Sequence, residues 1–350
     1  MRVLFIGGTG NISIAATRLL AKCGADLTLF NRGQQELALP AGVRQIKADI
    51  RDRPAAAAAL AGEEFDVVVD WVAFVPAHVE TDLALFAGKI SHYVFISSAT
   101  VYERPSPFFP TVEQAPLGNA HWQYARDKIA CEERLRREYE LTGFPATIVR
   151  PSYTYGESWI PTAIEGQDYT VIARIRRGKK IIVPGDGESL WTMTHNSDFA
   201  RALVGLLGNP AAAGESFHIT SDEVLSWNQI TKTIAAAAGL EARIVHIPSD
   251  FIAAAEPELG PGLLGDKSHS LVFDNSKIKR FVPGWEARVP FAEGVARSIK
   301  WFEEDPARRA IDEEWSVRLD RIVAAFEAGW PAGGTACTNL KNRRKATCPD

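Results

Sequence analysis

The first thirteen residues, MRVLFIGGTGNIS (1–13), decide the fold. RVLFI (2–6) is an apolar run of strand length that breaks into a glycine turn, and the turn opens a helical stretch over 11–23. Gly7, Gly10 and Ser13 fall in the three slots of a turn that presents backbone to a pyrophosphate. The first slot permits a tight turn, the second a close approach of the backbone, and the third only requires a small side chain where helix meets strand. Serine stands where glycine or alanine is usual. It is small enough to pack there, so the phosphate-binding reading stands on its position after a first strand and before a first helix.

Outward from this turn, short β-rich runs alternate with helical stretches: ADLTLF (25–30), VRQIKA (43–48), FDVVVDWV (65–72), HYVFIS (92–97) and ATIVR (146–150), with helices read over 55–61 and 78–88. Such alternation predicts an α/β fold, a doubly wound parallel sheet of the Rossmann type. After Arg150 the pattern turns mixed, with SFHIT (216–220) as a last strand returning to the sheet. The expected organisation is a dinucleotide-binding domain over 1–151, a smaller and mostly substrate-binding domain over 152–330 with segments near 195–220 rejoining the sheet, and a disordered tail over 331–350.

An acidic residue at the end of the second strand would accept hydrogen bonds from an NAD ribose. This chain has Asn31 and Arg32. An acid would repel the extra phosphate of NADP and Arg32 can pair with it, so NAD(P) is expected with NADP favoured. Asp49, after the third strand and followed by Ile50, is placed to accept a bond from the adenine amino group.

FISSATVY (95–102) and HWQYARDK (121–128) carry the chemistry. Tyr124 and Lys128, four residues apart, share one face of a helix. Ser98 lies at a strand end, where the active site of an open α/β sheet is expected. A tyrosine of pKa near ~10 is a poor base at neutral pH, and a neighbouring ammonium together with a bound nicotinamide cation favours its phenolate. Ser98 can then polarise a substrate oxygen while Tyr124 moves a proton and a dinucleotide moves a hydride.

At these residues the sequence resembles the extended branch of the short-chain dehydrogenase/reductase superfamily, the epimerases and dehydratases. The resemblance covers about residues 1–305 and extends to IVRPSYTYG (148–156), RRGKKIIVPGDG (176–187), THNSDFARAL (194–203) and 272–302. It implies a Rossmann domain with a split substrate domain. It also implies roles along the cofactor for Gly7, Gly10, Asn31, Asp49, Trp71, Val72 and Ala73, and in chemistry for Ser98, Tyr124 and Lys128; Thr9, Asn11, Ile12, Arg32, Ile50 and Pro151 join the candidate cofactor contacts from the same segments.

Two departures bear on the substrate. Where the 4,6-dehydratases of the branch carry an Asp-Glu pair, this chain has Ala99-Thr100-Val101, which disfavours dehydration. Where nucleotide-sugar epimerases carry an arginine that holds the diphosphate, it has Trp191, which offers a flat apolar face in place of a bidentate clamp. Arg174, Arg176, Arg177 and Lys179 are candidate substitutes for the anchor. Thr100, His121, Trp122 and His195 flank the chemical segments and join Trp191 as candidate substrate contacts.

The leading functional expectation is an NAD(P)-dependent epimerase or oxidoreductase acting on a secondary alcohol or ketone of a sugar or sugar nucleotide. The alternative is an RNA-binding or regulatory protein on a dehydrogenase scaffold, because FNRG and SDEVLSWNQI are similar to stretches of the chloroplast stem-loop RNA-binding relatives. A formal charge of −4 supplies no global basic field for nucleic acid. The basic run KNRRK (341–345) is read as part of the tail. Four cysteines without CxxC or CxxH spacing read as reduced thiols, and no metal site is expected. No apolar run approaches the ~18 residues of a membrane span, and no secretory leader is read at Met1, so a cytoplasmic location is expected. The oligomeric state stays open between a monomer and a homodimer.

Overall fold

The protein was analysed as a computed structural model, which describes residues 1–34, 38–164 and 166–329. The tail read over 331–350, with its basic run, lies outside the described residues. Strands β1 (Arg2–Ile6), β2 (Asp26–Asn31), β3 (Arg44–Lys47), β4 (Val67–Asp70), β5 (His92–Ile96) and β6 (Ala146–Pro151) join Ser216–Ile219 in one seven-stranded sheet. The order is Ser216–Ile219, β6, β5, β4, β1, β2, β3, and every neighbouring pair is parallel. Chain order reverses at β1, with β2 on one side and β4 on the other. That switch point is where a crevice opens beyond the strand ends.

Both faces of the sheet are covered, which is why its strands read as continuous apolar runs. Val3, Phe5, Leu27, Leu29, Val67, Val69, Val94 and Ile96 face one layer, whereas Leu4, Ile6, Phe30, Val68, Tyr93 and Phe95 face the other. Helix α1 (Ile14–Lys22) packs Ala16 and Leu20 on the first face together with Phe199 and Leu203 of the helix Asn196–Leu206. Helices α2 (Arg53–Ala59), α3 (Pro76–Phe86) and α4 (Gln123–Thr142) cover the second. The first helix begins three residues later than the sequence pattern starts, because residues 11–13 complete the glycine turn. The next two begin two residues earlier, each with a proline in its first turn, where the missing N–H costs nothing.

The remaining chain builds small ribbons: Tyr153–Tyr155 with Met193–His195, Leu190–Trp191 with Leu225–Ser226, and Lys180–Pro184 with Arg243–Ile247. Their own apolar cluster includes Tyr155, Ile172, Trp191, Trp227, Phe291 and Phe302.

Two buried histidines tie β5 and the edge strand Ser216–Ile219 to neighbouring segments. His92 Nδ1 accepts from the Gly208 N–H at 3.0 Å, so Nε2 carries the proton and faces Thr147 Oγ1 at 2.8 Å. His218 Nε2 donates to the Asp274 carbonyl at 2.6 Å, and Nδ1 lies 3.1 Å from the Tyr102 hydroxyl. Burial lowers both rings to a pKa of about 4. The unfolded chain therefore binds protons that the folded one refuses between about pH 6.5 and about pH 4, so stability falls on acidification through that window. Each ring is expected to cost about tenfold in the folding equilibrium per pH unit. Equilibrium urea unfolding at about pH 7 and about pH 5 checks this, and an unchanged midpoint would contradict it.

Candidate active site

The parallel register aligns the strand ends: Ile6 opposes Phe30 and Asp70, Asp70 opposes Phe95, and Ile96 opposes Val149. Beyond them runs a cavity of about 960 Å³. It extends from Asn31, Arg32 and Asp49, past the glycine turn, to Ser98, Tyr124 and Lys128, and on to Trp122, Trp191 and Lys267.

At the glycine turn, Gly7 donates to the Phe30 carbonyl at 2.9 Å with φ +102°, and a Cβ there would come within 3.2 Å of Trp71 and Val72. The backbone at Gly10 is bare on its outer side: an added Cβ would meet only Ser13 Oγ, at 3.6 Å. Ser13 does more than pack. Its buried hydroxyl accepts the Gly10 N–H at 2.9 Å and lies 3.2 Å from the Gly10 carbonyl, closing the turn across itself. Small-residue logic found the slot but not this bond, which a glycine or alanine could not make.

The turn is held from outside as well. Asn11 donates to the Thr154 carbonyl at 3.2 Å, and Asn196 donates to the Asn11 carbonyl at 2.8 Å. Thr9, Ile12, Ile50 and Pro151 line the cavity. Asn31 Oδ1 accepts from Gly33 N–H at 3.0 Å and from Gln45 at 2.8 Å, shaping the bend that leaves Arg32 exposed at the cavity edge. Asp49 caps the Arg51 N–H at 2.9 Å, and Arg51 reaches the Val72 carbonyl. Asp70 Oδ1 accepts from Val72 at 2.5 Å and Ala73 at 2.8 Å, which fixes Trp71 and Val72 along the wall. Ala73 is fully buried and does not line the cavity; it offers its carbonyl to Lys128.

Ser98 follows β5, and its Oγ accepts from both the Thr100 N–H at 3.2 Å and the Thr100 hydroxyl at 3.0 Å. With its lone pairs taken, the Ser98 proton is the group left to give. Tyr124 and Lys128 stand one turn apart on α4, whose start is set by Asn119 accepting the Trp122 N–H at 2.9 Å. Lys128 donates to the carbonyls of Ala73 at 2.6 Å and Ile96 at 2.7 Å, with its Nζ 5.8 Å from the Tyr124 ring centre. Burial lowers the Lys128 ammonium to about 8, against the pull of Asp70. Burial also raises the Tyr124 phenol, and the Ser98 hydrogen bond opposes that rise. The expected depression by lysine is therefore not what acts on the phenol: the ammonium points at backbone oxygens, and desolvation prevails.

At the far end, Trp191 is buried against Trp227 with ring centres 5.2 Å apart and still forms part of the cavity wall. Trp122 and Thr100 line the cavity, whereas His121 and His195 do not. The His121 side chain is exposed, and its backbone N–H is held by Asn119. His195 is buried as the cap of the helix Asn196–Leu206, accepting from the Ser197 N–H and packing edge-on to Tyr155. The basic quartet is likewise occupied elsewhere: Arg174 and Lys179 bind Asp320, Arg176 binds Glu303, and Arg177 binds Glu313. These pairs fasten the helices Phe291–Glu303 and Glu313–Ala328. Sequence reasoning missed Phe74, Tyr153, Trp159 and Lys267 on the wall, because their chain positions carry no local signal and only the fold gathers them.

A doubly wound sheet with a bare glycine turn at its switch point, and a cavity leading from that turn to a strand-end serine, defines a dinucleotide-binding α/β enzyme scaffold. The profile of the NAD dependent epimerase/dehydratase family matches residues 3–220, and the chain belongs to that family. It is 28% identical to 2'-dehydrokanamycin reductase of Streptomyces kanamyceticus over 82% of this chain and 81% of that protein. It is also 28% identical to chloroplast stem-loop binding protein of 41 kDa b of Arabidopsis thaliana, over 92% of this chain and 84% of the relative. Among solved structures, UDP-glucose 4-epimerase from Bifidobacterium longum in complex with NAD+ and UDP superposes with a TM-score of 0.71 at 21% identity, covering 87% of this chain and 99% of that one.

Two substitutions separate the roles within the turn. Gly7→Ala forces a side chain into a positive-φ position against Trp71 and is expected to weaken dinucleotide binding by about 10–100-fold. Ser13→Ala removes one hydrogen bond and should change affinity by no more than about fivefold. Fluorescence titration with NADP and NAD measures both, and a loss of orders of magnitude in Ser13→Ala would give its hydroxyl a direct phosphate contact instead.

Proposed function

We propose that the protein catalyses hydride transfer at a secondary alcohol or ketone of a sugar or sugar nucleotide, using NAD(P) with NADP favoured, as an epimerase or a simple oxidoreductase. The observation that carries this reading is the hydrogen-bond pattern at Ser98. A hydroxyl whose acceptor capacity is filled by Thr100 can only donate, and it does so beside Tyr124 in a cavity that begins at a phosphate-binding turn. Residues 1–151 would hold the dinucleotide, and 152–330 would shape the substrate end.

The residues present fit such a cofactor: Gly10 leaves room for a pyrophosphate, Trp71 and Val72 form a flat wall, and Lys128 stands where a ribose hydroxyl can be met. When bound, the nicotinamide supplies or accepts the hydride. Ser98 donates to the substrate oxygen and so fixes the reacting carbon. Tyr124, raised by burial, holds its proton at neutral pH and is set to give it to a developing alkoxide; in the oxidative direction the reverse step needs the phenolate, which takes the proton of the alcohol. Lys128 keeps the loop at Ala73 and the end of β5 at Ile96 in register through its two carbonyl bonds, with one further N–H to offer a ribose. Phe74, 6.4 Å from the Tyr124 ring and 4.8 Å from Lys128 Nζ, shields the pair from water. An exposed arginine with no ion-pair partner among the described residues supports NADP, as does the absence of an acid at position 31.

Tyr124→Phe keeps the ring and its packing, so cofactor affinity should survive while turnover falls by roughly 10²-fold or more. Lys128→Met should lose turnover and also bind the cofactor more weakly. Screening sugars and sugar nucleotides with NADP for a change in reduced nicotinamide absorbance, with affinities measured in parallel, tests both. Near-normal turnover in Tyr124→Phe would overturn the mechanism. Salt-dependent RNA binding indifferent to Tyr124→Phe, with no turnover in the unaltered protein, would favour the binding function named for the plant relative.

Arg32→Asp should reverse the coenzyme preference, because it adds repulsion to lost attraction. Titration of both coenzymes into the unaltered and substituted proteins checks this. Tighter binding of NAD by the unaltered protein, or an unmoved ratio, would count against it.

A further inference from the structure

Lys267 lies at the end of the cavity away from the glycine turn, on a wall shared with Trp122, Tyr153, Trp159 and Trp191. Its turn is unusually well fixed. Leu263–Lys267 form a single wide helical turn closed by the Ser268 N–H on the Leu263 carbonyl at 2.9 Å, a geometry that recurs at functional sites. Asn119 donates to the Gly265 carbonyl at 2.7 Å and to the Thr100 carbonyl at 3.2 Å, tying this turn to the Ser98 segment. Trp227 Nε1 donates to the Lys267 carbonyl at 3.0 Å. The backbone is thus held from both sides.

The side chain is not. Asp266, the adjacent acid on the wall, is matched by Arg104, which donates to it at 2.9 Å and spends its other contacts on the carbonyls of Ala99 and Tyr102. Among the described residues the Lys267 ammonium has neither a hydrogen-bond acceptor nor an ion-pair partner; Nζ lies 5.8 Å from the centre of the Tyr153 ring and beside Gly262, where an added Cβ would stand 3.8 Å from it. Burial draws it below its ordinary pKa, against the pull of Asp266. Holding an unpaired ammonium in a walled cavity costs free energy that a ligand anion would offset. The other cations of the wall are Arg32 and Arg51 at the opposite end, and Lys128, which is already committed to carbonyls. The substrate end therefore has an excess of one positive charge, with no guanidinium fork free to clamp a diphosphate.

We propose that Lys267 forms an anion subsite for a single negatively charged group, a carboxylate or a phosphomonoester, on a sugar whose ring packs against the tryptophan wall. This rests on the hydride-transfer reading above and narrows it to sugars that carry one anionic group. The geometry separates the two ends of the substrate: Ser98 and Tyr124 meet the reacting oxygen, and Lys267 meets the charge.

The test is isothermal titration of the full chain, with saturating NADP, against glucose, glucuronate, glucose 1-phosphate, inorganic phosphate and UDP-glucose. The charged monosaccharides should bind at least about tenfold more tightly than glucose, as a charge-assisted bond predicts. The comparison of glucuronate with glucose 1-phosphate identifies which anion is preferred. Lys267→Met should abolish the advantage and the binding of inorganic phosphate, and Lys267→Arg should retain both. NADP affinity should be the same in all three proteins, which separates this site from the cofactor site. Equal binding of glucose and the charged sugars, an advantage that survives in Lys267→Met, or UDP-glucose binding more than about tenfold tighter than glucose 1-phosphate would overturn the subsite. The first of these with intact NADP binding would leave the hydride-transfer reading standing, whereas absence of NADP binding would overturn that reading independently of the sugar series.

Discussion

The buried ion pair between Glu132 and Arg150 holds the reacting geometry together. Arg150 Nη2 lies 2.6 Å and Nε 2.9 Å from the two carboxylate oxygens of Glu132, and both side chains are fully buried. Glu132 follows Tyr124 and Lys128 at helical spacing, so this contact fastens the one face of α4 that carries all three. It also reaches sideways: Ser97 donates to Glu132 at 2.6 Å, next to Ser98, and Arg150 precedes Pro151 on the cavity wall. Arg150 continues to the Tyr102 hydroxyl at 3.0 Å, and Tyr102 to His218. A buried pair of this kind is weak evidence for stability, since desolvation consumes much of the Coulomb gain, but losing one partner strands a charge at a cost of about 3–5 kcal/mol. Its consequence here is register: helix, β5 and β6 cannot slide without breaking it.

A second anchor lies beneath the loop that Lys128 bonds. Asp82 is wholly buried, and burial followed by the charge of Asp70 raises its carboxyl well above the usual range. It accepts the Tyr93 hydroxyl at 2.6 Å, and Asp70 Oδ1 holds the N–H groups of Val72 and Ala73. The lysine that bonds the Ala73 carbonyl therefore rests on a loop fixed by one carboxylate.

At the opposite end, specificity is argued through apolar surface. Trp191 and Trp227 stack where a clamp for a diphosphate would be sought, and the arginines that sequence reasoning offered in its place are consumed by acids on two C-terminal helices. Those helices need them: Arg174 is fully buried and reaches Ser316 and Asp320 together. The cavity's remaining charge thus becomes a property of one lysine.

The local order of residues was enough to determine the parallel sheet, its strand sequence, the glycine turn and the Tyr124–Lys128 spacing. Each depends on periodicity or on neighbours within a few positions, where chain connectivity restricts the alternatives. The same order fixed the helix starts only approximately, since prolines and the capping Asp52 set them. What tertiary structure alone decided is which side chains share a cavity. Thr100 was legible as a neighbour of Ser98, but not as the group that fills its lone pairs. His195 sits in a stretch shared with the family, yet burial against Tyr155 removes it from the wall. Lys267 lies far along the chain from Thr100, and Asn119 and Arg104, each bonded to both turns, bring their segments together. Long-range pairing of this kind depends on packing distances that no local pattern encodes, so the grouping of Ser98, Tyr124 and Lys128 at one end of the cavity was readable in the sequence and that of Tyr153, Trp159 and Lys267 at the other was not.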